Sequence, residues 1–596
     1  MQLMRLWRSF APRRQRQLVL LALLMILSSF TEVVSIGAIM PFLAVLTNPL
    51  MVLEHPKLQP LIIWMGITEV NDLVLLLALT FSLAAIVAGF MRLLLFYTTT
   101  RLTYSIGADL GYHLYQRTLY QPYAVHVSRN SSAIINSILS KVSGVAYGVV
   151  LSSLNILTAS AMLISVLTTL IIIDPIIAIM SILGFSSIYG IIITFTKLRL
   201  RAQSQYIANE SNRVVKVLQE GLGGIRDVII DGTYNIYCQN FHRADLLLKK
   251  SIGINQFIAA APRFILEALG MSLIAGIAYF LFFSGNGIVS AIPVLGALGL
   301  GMQRLLPVIH QGYAAYVSMK GQQDSLADVL DLLNQPLPEY LKLNEIEPIT
   351  FEKAIELEGV SFKYKPELPL VLDNINLTIS KRSRLGIIGA TGGGKSTFVD
   401  LLMGLLEPTG GKLIIDGVSI SDKNCHAWMR HIAHVPQTIY LSDSSIAENI
   451  AFGIEKNEID MGRVQQAARH AQISEVIEGW TNKYETIVGE RGVRLSGGQR
   501  QRIGIARALY KQAEVIVFDE ATSALDNETE KAVMESIEGL SEDLTIIIIA
   551  HRLTTLKDCD QIIELSGCRI KRIGTYQEIV DQAVLAPKKK KDSNLL

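Results

Sequence analysis

Residues 385–405 read LGIIGATGGGKSTFVDLLMGL. An apolar strand runs into Gly389, and an amphipathic helix leaves after Thr397, so the intervening residues form a tight strand-to-helix turn. This is the context of a phosphate-binding Walker A loop. Gly389, Thr391, Gly392, Gly393 and Gly394 lend backbone N–H groups to phosphate oxygens, and the helix N-terminus adds its partial positive charge. Lys395 is placed to reach the β- and γ-phosphates, and the Ser396 hydroxyl to ligate Mg²⁺, with Thr397 closing the turn. About 120 residues on, EVIVFDEATSALD at 514–526 delivers Asp519 from a buried apolar strand. Asp519 suits a metal-directed role, direct or through water, and Glu520 stands next to it to polarise an attacking water. A glycine loop alone could be an ordinary turn, and an acidic pair alone a strand terminator. Together they specify phosphoryl transfer from a nucleoside triphosphate to water.

Around these motifs the chain resembles ATP-binding cassette transporters over roughly 351–580. LSGGQRQR at 495–502 looks like their signature loop. Tyr364 in VSFKY resembles the aromatic that stacks on adenine. Gln437 in HVPQTIYL resembles the Q-loop residue that joins Mg²⁺ to the membrane domain. Ser523 to Asp526 resemble the D-loop, His551 in IIIIAHRL the switch histidine, and IVGERG at 487–492 the X-loop of exporters. Gly393 departs from the commoner serine, a side chain that backbone cradling does not need. The resemblance implies ATP and Mg²⁺ as cofactors, with Glu520 and His551 as catalytic residues. It also implies a dimer, in which Ser496, Gly497, Gly498, Gln499 and Asp526 of one cassette close over ATP held by the other. One chain carries one cassette, so a half-transporter working as a homodimer is expected; a heterodimer remains compatible.

The other half of the chain is different in composition. Of 596 residues, 50% are hydrophobic and 18% charged, with a formal net charge of +2; the mean hydropathy is +0.37. The apolar excess lies before residue 320, in six runs long enough to cross a bilayer, near 18–46, 72–98, 147–172, 175–197, 257–283 and 287–313. RRQR at 13–16, Arg101 and KLRLRAQ at 197–203 mark cytoplasmic ends, which places both termini and the cassette inside. The basic N-terminal segment reads as a membrane-surface piece followed by a retained span, not a cleaved signal. Residues 99–146 and 198–256 are polar enough and periodic enough to be helices continuing into the cytoplasm. They break near Pro122 and Gly224, and the resemblance makes 121–128 and 224–233 coupling segments. The expected architecture is an all-α six-helix transmembrane domain of exporter type with long cytoplasmic helical extensions (1–335). An α/β P-loop ATPase domain (336–584) and a basic tail (585–596) follow. The four cysteines lack metal-ligand spacing and read as reduced structural thiols.

Intramembrane charges are the only direct clues to cargo. Glu32 lies in the first span, Arg92 in the second, Arg263 and Glu267 in the fifth and Arg304 in the sixth. Counted from the outer ends, the three arginines fall at a similar level near the inner face. They either snorkel as interfacial anchors, with Arg263 and Glu267 pairing at i, i+4, or line a cavity for an anionic headgroup. SSFTEVVSIGAIMPFLAVLTNP at 28–49 resembles the first span of bacterial lipid-linked oligosaccharide flippases. That likeness implies a lipid-linked glycan as partner, a bacterial inner-membrane location, and an amphipathic outer helix for which HPKLQPLIIWMGI (55–67) could serve. Export of a hydrophobic peptide, lipid or drug-like compound is the alternative. A non-transport cassette ATPase acting on nucleic acid fits poorly with six spans, and no nucleic-acid partner is expected.

Overall fold

The structure is a computed structural model that describes residues 2–47, 70–173, 175–283, 288–338, 348–520, 527–538, 544–550 and 553–579. Segment 55–67, the turn at Asp174, residues 284–287 and the basic tail lie outside them. Residues 1–120 with 129–336 form one unit, and residues 121–128 with 337–596 form the other.

The first unit is helical. A short amphipathic helix, α1 (Gln2–Ser9), buries Leu6 and leaves Leu3, Met4 and Trp7 exposed. Six long helices follow: α2 (Pro12–Thr47), α3 (Val70–Leu119), α5 (131–173), α6 (Pro175–Gly223), α8 (Tyr234–Phe283) and α9 (Ile288–Gly321). Two short helices, α7 (Ile225–Ile230) and α10 (Gln323–Leu333), join or follow them, while α4 (Tyr123–Ser128), between α3 and α5 in the chain, belongs to the second unit. At roughly 1.5 Å per residue, the 50 residues of α3 extend about 75 Å, well beyond a hydrocarbon core of about 30 Å. Its surface changes along its length. Leu79, Leu83, Ile86, Phe90 and Leu93 form an exposed apolar stripe at helical spacing, suited to lipid. Farther on, Leu102, Ile106, Leu110 and Leu114 turn inward and pack with Val145 and Val149 of α5 and Val329 and Leu330 of α10. Helices α6, α8 and α9 share a separate core around Tyr189, Leu200, Ile258, Leu266 and Tyr313.

Helix α5 carries two π-helical stretches, Ser137–Lys141 and Ala146–Leu151. Lys141, buried there, pairs with Asp328 at 2.5 Å. Gly148 passes so close to Gln322 that a Cβ would lie 2.4 Å from its Cγ. Any larger residue at 148 would force the Gln322 side chain to move.

The second unit is α/β. Its larger sheet has the order β10–β9–β3–β8–β7–β6, and a smaller antiparallel sheet the order β2–β1–β4–β5. The strands are β1 (Ala354–Phe362), β2 (Leu372–Ser380), β3 (Arg384–Gly389), β4 (Gly410–Ile415), β5 (Val418–Ser419), β6 (Ile432–Val435), β7 (Val515–Asp519), β8 (Thr545–Ile549), β9 (Gln561–Ser566) and β10 (Arg569–Gly574). Strands β7 and β8 are buried almost throughout, as parallel strands covered on both faces must be. A helical portion contains α12 (Ile446–Ile450), α13 (Met461–His470) and α14 (Gly497–Lys511), while α11 (Lys395–Leu402) follows the glycine loop.

Arg507 of α14 ties this portion together. Its Nε donates to the Asn449 carbonyl at 2.9 Å and its Nη1 to the Tyr440 carbonyl at 3.0 Å. Its guanidinium also lies 4.5 Å from the Phe452 ring centre. Burial pulls its pKa down to about 10. Lysine cannot reproduce this fork, so Arg507→Lys should destabilise the domain by about 2 kcal/mol. Its melting transition should then fall by about 4–8 °C in thermal unfolding of the solubilised full chain.

Candidate functional site

The site begins with strand register. Ile549 of β8 is the parallel partner of Ile387 on one side and of Asp519 on the other. The carboxyl ends of β8 and β7 are therefore level, and β3 runs two residues further to Gly389 at the same edge of the sheet. The glycine loop leaves the end of β3, and Asp519 and Glu520 leave that of β7. His551 follows β8 by two residues but lies outside the described residues, as does Asp526.

The loop itself needs glycine. Gly392 and Gly394 have φ of +81° and +87°, and a Cβ on Gly389 would sit 2.3 Å from the Leu565 carbonyl oxygen. Gly393 is also tight: its Cβ would lie 2.9 Å from the Ala390 carbonyl oxygen. Lys395, the first residue of α11, donates from Nζ to the carbonyls of Gly389 at 2.8 Å and Ala390 at 3.2 Å. The ammonium is thus held across the loop mouth. Thr391 and Ser396 are exposed beside it. The Thr397 hydroxyl lies 3.1 Å from the Tyr364 hydroxyl, and the Tyr364 ring stands edge-on to Phe362.

Opposite the loop, Glu520 turns off the strand with φ +51°, a left-handed conformation rare for this residue type. Its N–H donates to the Ile549 carbonyl at 3.1 Å, and its Oε2 accepts from Gln437 Nε2 at 2.6 Å. With that amide nitrogen engaged, Gln437 has its carbonyl oxygen left for a cation. Ser396 supplies a second neutral oxygen and Asp519 an anionic one, a donor set that fits the hard, oxygen-seeking Mg²⁺. Burial raises the Asp519 pKa, with the Glu520 charge adding to the effect and Lys395 opposing it.

Ser496 and Gln499 form a capping box at the start of α14. The Gln499 N–H donates to Ser496 Oγ at 3.2 Å, and the Ser496 N–H donates to Gln499 Oε1 at 2.9 Å. Gly497 and Gly498 sit between them as the first turn, with N–H groups not yet engaged in the helix.

The structure adds two residues that the motifs did not suggest. Asp400, five positions after Lys395, is pushed up to about 6 by burial and by the Asp519 charge. Tyr123 of α4 has a raised pKa from burial and from the charges of Asp400 and Tyr364. Helix α4 borders a groove of about 420 Å³ with Tyr364, Leu405 and Asp422. The 121–128 segment thereby reaches the phosphate-loop side of its own cassette.

In the helical unit, Arg92 Nε lies 3.5 Å from Glu32 Oε2, with Glu32 only 1% exposed. Arg263 Nε donates to Glu267 Oε1 at 2.7 Å, the i, i+4 pair. Arg304 falls within α9, but its side chain is outside the described residues. A second bridge, Arg14 to Asp109 at 2.7 Å, fixes the same antiparallel register of α2 and α3. If the first span begins near residue 18, its pairing with Glu32 puts Arg92 about 21 Å along it.

Comparisons with known proteins agree with this architecture. The family model described as ABC transporter matches residues 372–523. The heterocyst differentiation ATP-binding protein HepA of Nostoc sp. is 31% identical over 588 residues, covering 95% of this chain and 92% of that protein. The ATP-dependent lipid A-core flippase of Ralstonia nicotianae is 29% identical over 522 residues, 84% of each chain. The structure of a bacterial Atm1-family ABC exporter with ATP bound superposes with a TM-score of 0.77 at 21% identity, covering 96% of this chain and 99% of that one.

The Asp400 carboxyl gives a pH prediction. Folded, it keeps its proton up to about pH 6, whereas unfolded it releases it near its ordinary value. Stability contributed by this group is thus complete at low pH and lost as pH rises through about 6. Asp400→Asn should raise stability at pH 7.5 by about 1 kcal/mol, discounted for partial solvent exposure. The gain should vanish by about pH 4 in nucleotide-free thermal unfolding; a gain that grows on acidification would contradict this.

Proposed function

The chain belongs to the ABC transporter family, and from that premise we propose that two copies form a homodimer that flips an anionic, lipid-tailed substrate across a bacterial inner membrane. That the chain is a half-transporter, a helical membrane domain fused to one ATP-hydrolysing domain, follows from the family. The observation that carries the ATPase reading is the 2.6 Å contact of Gln437 with Glu520 at the edge where β3, β8 and β7 end.

In this reading Tyr364 stacks on adenine, and the N–H groups of Gly389 to Thr397 wrap the phosphates. Lys395 exchanges its two loop carbonyls for phosphate oxygens. Ser396 and Gln437 would hold Mg²⁺, with Asp519 direct or through water, and the ion would supply neutralisation of negative charge at the phosphates. Glu520 orients and polarises the attacking water, and His551 contacts the γ-phosphate. Ser496, Gly497, Gly498, Gln499 and Asp526 of the second copy complete each site. Exposed Ile225, Ile229 and Ile230 on α7 support a second copy, because an apolar helix at the tip of a cytoplasmic extension needs a cover. Helices α4 and α7 then act as coupling segments that pass cassette closure to the spans.

The cargo reading rests on Arg92, Arg263 and Arg304, with Glu32 and Glu267 as their partners. Arg92 is 43% exposed while its carboxylate partner is buried, so its guanidinium can meet a phosphate while Glu32 holds it in place. A lipid-linked oligosaccharide, with a pyrophosphate and a long tail, fits this demand, and relatives named as lipid A-core flippases support a lipid cargo. The second reading, export of a hydrophobic peptide, lipid or drug-like compound, draws on the Arg263–Glu267 pair, which neutralises itself. The basic flanks at 13–16 and 197–201 orient both termini and the cassette to the cytoplasm.

Glu520→Gln should lower steady-state hydrolysis by at least about 100-fold while ATP stays bound; unchanged turnover would remove the catalytic assignment. Replacing Arg92, Arg263 and Arg304 with Ala should abolish lipid-linked oligosaccharide flipping in proteoliposomes. Flipping that survives the triple change rules out the cationic-cavity reading.

A further inference from the structure

A second cationic feature lies on the same helix pair, away from the cargo positions. A groove of about 600 Å³ runs between α2 and α3 near the ends assigned to the cytoplasmic side. Eighteen residues of α2 separate Arg14, on this groove, from Glu32, so the two places are about 27 Å apart. One wall of the groove is apolar, built from Leu20, Leu21 and Leu24 of α2. Arg13, Arg14 and Arg101 supply its charge.

The three arginines are not equivalent. Arg14 is committed: its guanidinium binds Asp109 at 2.7 and 3.4 Å and Gln17 at 2.9 Å. It fixes the floor of the groove. Arg101 makes one hydrogen bond, to the Tyr97 hydroxyl at 3.3 Å, and lies 6.0 Å from that ring centre. Neither Arg13 nor Arg101 has a carboxylate partner among the described residues, and both are exposed. Two uncompensated guanidinium groups therefore border a leucine wall where the helices leave the hydrocarbon. Each offers a planar fork of donors that matches a phosphate bidentately. An occupant must satisfy both halves, an anionic phosphate at the mouth and hydrocarbon along Leu20 to Leu24. Basic clefts between membrane helices at this level suit lipid headgroups.

We propose that this groove binds an anionic glycerophospholipid of the adjoining leaflet, its phosphate between Arg13 and Arg101 and an acyl chain on the leucine wall. The site is separate from the cargo path, and its assignment to the cytoplasmic leaflet rests on the topology given above. Ordinary positive-inside anchoring would need no groove and would treat all basic residues near the interface alike.

The test uses the full-length protein in nanodiscs of phosphatidylethanolamine and phosphatidylglycerol at 3:1, without any lipid-linked glycan, followed by native mass spectrometry of retained lipids. The wild type should retain phosphatidylglycerol over phosphatidylethanolamine by about tenfold beyond the bulk ratio. The Arg13→Ala/Arg101→Ala pair should lose that preference, and the Arg13→Lys/Arg101→Lys pair should keep only part of it. Arg101→Gln alone provides a milder change with the same expected direction. Arg16→Ala, which loses the same single charge as Arg101→Gln but off the groove, should keep the preference, as should Arg92→Ala, which would disable the cargo reading and leave this one intact. Equal retention by the alanine pair overturns the proposal. So does equal loss in Arg16→Ala, which would indicate bulk charge alone. Displacement of the phosphatidylglycerol by millimolar inorganic phosphate would overturn the lipid assignment in favour of a free-anion site.

Discussion

Parallel register between β3, β8 and β7 is the constraint on which the nucleotide site depends. Each ladder aligns its strands residue by residue, so the three chain exits share one edge. A one-residue slip of β7 would turn Asp519 to the opposite face of the sheet. Burial on both faces guards against that slip, because every residue from Val515 to Phe518 would have to change its packing. The left-handed turn at Glu520 is tolerable only because the strand before it is so firmly held.

Among the described residues at that edge, Asp400, Asp519 and Glu520 lie with Lys395, whose ammonium is held by loop carbonyls. The proton demand of Asp400 reflects its burial first and the Asp519 charge second. The same carboxyl acts on the Tyr123 phenol of α4, so that changes in its charge are felt there.

The sequence carried some of this plainly and some not at all. The strand–glycine–helix turn was legible because an apolar run, three successive glycines and an amphipathic period occur in immediate succession. The long helices were legible because Pro122 and Gly224 interrupt otherwise continuous periodicity, and Gly224 does leave the helix with φ −98° and ψ 22°. The capping box is written in the chain as Ser496-x-x-Gln499, inside the same stretch that forms the signature loop. Other features have no local signature. The pairing of Arg92 with Glu32 depends on the register of two helices joined by a long connection, and Asp400 acquires its proton affinity from burial and from the charge of a residue 119 positions away. The π-helical stretches of α5 carry its contacts with Gln322 and Asp328, partners that periodicity within α5 cannot express.

Helix α4 belongs by its contacts with a domain whose remaining residues begin at 337. During synthesis it leaves the ribosome about 200 residues ahead of that domain, an interval of about 10–40 s at ordinary elongation rates. Throughout that time Pro122, Tyr123 and Val127 have no surface to rest on. The docking of α4 must be among the last steps of folding, after the spans on both sides of it have been inserted. The segment is thus tethered at both ends before it meets its partner, which limits its search to a small volume and lowers the entropy cost of the final contact.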